Sequence, residues 1–364
     1  MANSGSLNGV TIQTMAPPEV ILDRFVRARL SKDLGFSNYR GKLNLDSDAV
    51  SPSLRTLLCG VQEAMNEALR LEGRNASVGV EHPPFHFDYL EVSDGAKNAH
   101  AFQHENFSFI VFTRPLVEAI WQMSHRLSKS SVFLKILRLD SAAVNSDAFH
   151  GLLTQIQLFF LVFHEYTHHI HQHCAKGANE ADGVWTEFVD ETACGSIKAQ
   201  AQELAADGYA TLRVLTFLLR GERRHSALAV LGSVDLLGTD DDELLLACFL
   251  VAAQATFCAF WKKDIDIASA YHFRHPPPTV RIEYTIRFAK MWCDQNGSVL
   301  ESWFSLDRMQ ELFLAAAEPF GESVRSTWDN LIPVLNSPEY VQYDQQLFEM
   351  LEKVRKETAN ASHR

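Results

Sequence analysis

Between Asp147 and Cys174 the chain carries a stretch that is apolar nearly all the way round and then turns abruptly polar. Leu158, Phe159, Phe160, Leu161, Val162 and Phe163 leave no charged face, and the spacing predicts one long helix over 148–174. A helix that is apolar on every side must be enclosed by other elements, so the rest of the chain has to wrap around it. At its end stand five of the 15 histidines, His164, His168, His169, His171 and His173. Burying several ionisable groups there is costly unless something such as a metal compensates them.

The order of those residues suggests the compensation. His164-Glu165-x-x-His168 is the H-E-x-x-H zinc signature. Histidines four apart share one helix face, so both imidazoles reach a single tetrahedral ion. Glu165 points toward the open fourth position, where it takes a proton from the water that attacks a carbonyl. A third protein ligand is required. His173, Glu187, Glu191 and Glu203 are the candidates, and Glu203 is the expected one. It opens Glu203-Leu204-Ala205-Ala206-Asp207 in an otherwise apolar helix, where a carboxylate pair on one face is unusual without partners. Asp207, one turn on, is placed to bond a ligand histidine and fix its tautomer. The bland alternative is a pair solvated on an exposed face. His169 is expected to be solvated off the ligand face, and His171 lies about 10 Å along the axis from His164, too far to share its ion. His82 and His86 flank Pro83-Pro84, which argues against a second metal site. Farther on, Pro276-Pro277-Pro278 stiffens the backbone after His275. That imidazole is either an oxyanion donor beside the metal or an ordinary loop residue.

These motifs together resemble the gluzincin metallopeptidases, especially the HtpX and CAAX prenyl protease type. Asn98-Ala99-His100-Ala101 is similar to that family's Asn-Ala-x-Ala segment before an active-site edge strand, and His275-Pro276-x4-Arg281-Ile282 to its late His-Pro…Arg-Ile segment. The resemblance covers about residues 95–290, and its specific part is the zinc motifs. It implies that His275 assists the transition state and that Arg281 braces the acidic helix. It also implies that Asn98 and Ala101 flank the strand at the substrate edge. The family is usually embedded in membranes by several spans, which this chain does not offer, and the separation of His168 from Glu203 is short. A compact soluble relative is therefore expected, closer to the Lit-type phage-exclusion peptidases, and prenyl-protein substrates are not carried over.

Composition bounds the rest. A net charge of -12, from 33 Lys plus Arg against 45 Asp plus Glu, argues against a nucleic-acid partner. Cys59, Cys174, Cys194, Cys248, Cys258 and Cys293 form no C-x-x-C pair, and the first residues lack the basic and apolar regions of a signal peptide. A reduced, cytoplasmic protein is expected. Leu244–Trp261 lacks charge, but Gln254, Thr256 and several Ala favour a buried central helix over a membrane span. The short basic patch from Arg220 to Arg224 is most simply explained by a helix dipole.

The periodicities predict helices over 19–30, 51–71, 115–127, 196–220, 242–262 and 279–294, with strands over 84–92 and 107–113. The expected fold is α+β and predominantly α-helical, a zincin-like core with a small mixed or antiparallel sheet packed on the His164–His168 helix. Residues 1–16 form a tail, 17–147 an α+β region holding the active-site edge strand, 148–295 a helical metallopeptidase core and 296–364 a helical end. The expected function is a Zn2+-dependent endopeptidase acting on a protein or peptide, its substrate backbone laid along the edge of the 107–112 strand. Two alternatives stand beside it: a non-catalytic zinc-binding regulatory protein, and a hydrolase of non-peptide amides.

Overall fold

The computed structural model describes residues 16–30, 38–75, 83–93, 95–139, 144–171, 184–186, 195–232, 241–259, 267–321 and 334–361. Nearly all of the expected tail, the linker 176–183, His82, His173, Glu187 and Glu191 lie outside these residues. In chain order the elements are α1 (Pro18–Leu30), β1 (Tyr39–Lys42), α2 (Pro52–Asn75), β2 (Phe85–Val92), β3 (Ala99–His104) and β4 (Phe107–Thr113). There follow α3 (Arg114–Ser128), α4 (Ser131–Ile136), α5 (Ser146–Ile170), β5 (Val184–Thr186), α6 (Ile197–Leu219) and α7 (Arg223–Val230). The last third holds α8 (Asp241–Cys258), α9 (Ile267–Ala270), α10 (Pro278–Asn296), α11 (Leu306–Ala317) and α12 (Pro338–Ala361). The fold is α+β, mostly helical, with a small mixed sheet.

Helix starts follow local chemistry. Asn145 caps α5 by accepting from the Ala148 N–H at 3.1 Å, and Ser196 does the same for Ala199 at the head of α6, also at 3.1 Å. Pro278 opens α10, where a missing N–H costs nothing. Gly297 ends that helix in the left-handed conformation, at φ 58°.

The strands lie in the order β1-β2-β4-β3-β5, with β2 and β4 parallel and every other pair antiparallel. Alternation along each strand divides the sheet cleanly. Phe87, Tyr89, Ala99, Ile110 and Phe112 enter the main core with α2, α3 and α5, while Leu90, Phe102, Phe109 and Val111 pack under Ile21, Phe25 and Val26 of α1. The expected edge position of 107–113 is corrected by this topology. All seven residues of β4 are buried and the strand is flanked by β2 and β3. Ala101 pairs with Ile110 on one side and Trp185 of β5 on the other, so β3 is not free along that stretch either. Asn98 closes the hairpin, exchanging bonds of 2.9 Å with Thr113.

The two most apolar helices lie inside. Buried side chains run through α5 from Phe149 to His169 and through α8 without a break from Leu244 to Cys258. Gln157 joins them, donating to Ala252 O at 3.0 Å and Thr256 Oγ1 at 3.1 Å, so Thr256 of α8 has a partner inside the protein. Among the described residues, no helix is long and apolar enough to cross a membrane. The basic patch also has a more specific role than expected. Arg220 reaches Asp242 Oδ2 at 2.8 Å and Arg224 bonds its other oxygen, which ties α6 and α7 to the first turn of α8.

Candidate metal centre

Three segments converge on one buried point. On α5, His164 and His168 stand one turn apart with Glu165 beside them; α6, packed alongside, presents Glu203 and Asp207. The loop before α10 brings His275, and the first turns of α10 bring Arg281. His164, Glu165, His168, Glu203 and Asp207 are each 0% exposed, which rules out the solvated reading of the acidic pair.

His164, His168 and Glu203 form a group of donors that can hold a metal ion. The Nε2 atoms of the two histidines are 3.1 Å apart, His164 Nε2 is 3.3 Å from Glu203 Oε2, and His168 Nε2 is 3.7 Å from Oε1. Tetrahedral bonds of about 2.0–2.1 Å require ligand atoms about 3.3 Å apart, so the spacing suits a small divalent cation. The donor set of two imidazoles and a carboxylate fits such an ion as well.

Neighbouring groups fix the donors. Asp207 Oδ1 lies 2.9 Å from His164 Nδ1, leaving Nε2 to face the donor group. Arg281 grips the same carboxylate with both arms of its fork, Nε to Oδ2 and Nη2 to Oδ1, each at 2.8 Å. Its guanidinium also rests 4.6 Å from the centre of the Phe257 ring of α8. Burial alone would push the Asp207 carboxyl up; the Arg281 charge and hydrogen bonds, then His164, hold it below the usual carboxylate range. For Glu203 burial again opposes ionisation, and His275, His168 and His164 outweigh it, keeping the carboxyl well below its ordinary value.

His275 lies outside the group of three donors, with Nδ1 3.2 Å from Glu203 Oε2. Its side chain is 18% exposed, whereas the three donors are sealed. Two other histidines have partners away from the donor group. His169, expected in solvent, is buried and bonds the Phe109 carbonyl at 2.9 Å, fastening α5 to the sheet. His86 sits 3.3 Å from Asp88, which also binds Lys42 at 2.9 Å and Gln62 at 2.8 Å. Asn98 and Ala101 belong to the sheet pairing described above.

One polar residue of the site region escaped the sequence reading. Gln200, fully buried, lies on the same face of α6 as Glu203 and Asp207 and bonds the backbone that leads to His275. Its signal was present in the spacing Gln200, Glu203, Asp207, one polar residue per turn along an apolar helix. No protein-family model matches the chain, and neither a curated protein nor a solved structure matches it.

Proposed function

We propose that the chain is a zinc-dependent endopeptidase of the gluzincin type, with His164, His168 and Glu203 as the zinc ligands. The observation that carries this reading is the buried donor group on α5 and α6 with Glu165 next to the first histidine. A bound zinc ion there would polarise the scissile carbonyl and make water acidic enough to attack near neutral pH. Glu165 is the base in this reading: its carboxylate takes a proton from the attacking water and passes it to the departing amine. Asp207, braced by Arg281, holds the His164 ring in the tautomer that ligation needs. His275, beside Glu203, donates to the carbonyl oxygen as charge builds on it.

The test compares wild type with Glu165→Gln. Both proteins are expected to bind one zinc, and new N-termini in exposed proteomes are expected with the wild type alone. Identical sets of cleavage products from the two, or a wild type without stoichiometric zinc, would sink the reading.

A second reading has one observation in its favour. Because Glu165 and all three ligands are shut off from solvent, the same group suits a closed structural metal site. Cobalt(II) in place of zinc separates the two. If azide or a hydroxamate changes the cobalt absorption, a coordination position is open and the peptidase stands. An unchanged spectrum would support the structural site.

A further inference from the structure

The stretch from Ala270 to Arg281 is laid along α6 in three successive contacts. Gln200 donates through Nε2 to Ala270 O and to Phe273 O, both at 2.6 Å. One turn on, Glu203 meets His275, and one turn further Asp207 receives Arg281. The three α6 residues share a face, so the contacts follow one another in register. Tyr343 of α12, fully buried, donates its hydroxyl to Gln200 Oε1, which completes the hydrogen bonding of that amide. Gly195 supports the same loop from below: its N–H bonds His272 O at 2.9 Å, and a Cβ there would sit 1.9 Å from Phe273 O.

Downstream, Pro276-Pro277-Pro278 leads directly into α10, so the loop is held at both ends with His275 between. Tyr343 is itself fixed in a small core with Leu204, Val280, Tyr284 and Leu347. We propose that Gln200 and Tyr343 are positioning residues that clamp His275 against the Glu203 carboxylate, so that the C-terminal helix completes the metal centre. The proposal rests on the reading of His164, His168 and Glu203 as metal ligands. It assigns Gln200 no contact with the ion: Gln200 orients the loop, the loop orients His275, and His275 orients Glu203.

Zinc and cobalt(II) dissociation constants, obtained by competition with a chelator, test this in Gln200→Leu, Tyr343→Phe, His275→Ala and the double variant Gln200→Leu/His275→Ala. Losing an outer partner of a ligand typically weakens metal binding by about 10–100-fold. Gln200→Leu and His275→Ala are each expected to do so, and the double variant to bind no worse than His275→Ala alone. Tyr343→Phe, which removes one hydroxyl and keeps the packing, is expected to show a smaller loss and to move the cobalt absorption toward that of His275→Ala. Losses that multiply in the double variant would overturn the clamp, as would a Tyr343→Phe protein with wild-type affinity and spectrum. A wild type that binds neither metal would instead overturn the ligand reading, and the clamp with it.

Discussion

At the scale of single residues, the interior tolerates charge only where each ion has a partner. Asp207 is ionised and sealed because Arg281 and His164 take both of its oxygens. His100 illustrates the opposite solution, a buried imidazole kept neutral. It lies on β3, hydrogen-bonded through Nε2 to the Tyr39 hydroxyl, and burial pushes its pKa down to about 3. An unfolded His100 titrates near 6.5. Between those two values the unfolded chain binds a proton that the folded one refuses, so stability is fully present above the upper value and declines as pH falls. From pH 7 to pH 5 this single group is expected to remove about 2 kcal/mol. Urea unfolding at the two pH values checks it: His100→Gln should lose less stability over that interval than wild type by about this amount. Equal losses would mean that His100 is protonated in the fold.

At the scale of elements, α6 is the organising piece, since it meets α5 with its acidic face and lies close to α10. The close approach to α10 is set by Gly208, where an added Cβ would come within 2.8 Å of the buried Phe288 ring. Gly208→Ala is therefore expected to force the ring and α10 outward and to destabilise the protein by about 1–3 kcal/mol. Because α10 carries Arg281, metal affinity should fall in the same variant. Calorimetry and a zinc titration provide the two readouts. A Gly208→Ala protein as stable as wild type would show that the ring simply swings aside.

At the scale of the whole molecule, the proposed ligands come from two helices that meet only in the folded chain, so a bound ion would stabilise the folded chain over the unfolded one. With free zinc at 100 times its dissociation constant the gain is expected to be about 2.7 kcal/mol. It should vanish in His164→Ala, and a chelator should reverse it in wild type. An unfolding midpoint indifferent to zinc would contradict the ligand assignment. The main core joins residues from Leu43 to Ala317, among them side chains of both α5 and α6.

The sequence by itself determined the parts that depend on near neighbours. The apolar runs predicted α5 and α8 as buried helices, and the four-residue spacing put His164 and His168 on one face, because helical geometry is local. Glu203 and Asp207 were legible as a polar pair on α6 for the same reason, whereas Gln200, one turn earlier on that face, was missed. Tertiary structure alone decided what those faces meet. The missed β1, β3 and β5 are short, and strand pairing joins residues far apart in the chain, so the interior place of β4 could not be read from its own pattern. His169 looked solvated because no spacing rule tells which carbonyl, here that of Phe109, lies across an interface. The contacts of His275 with Glu203 and of Tyr343 with Gln200 are likewise decided only when distant helices pack together.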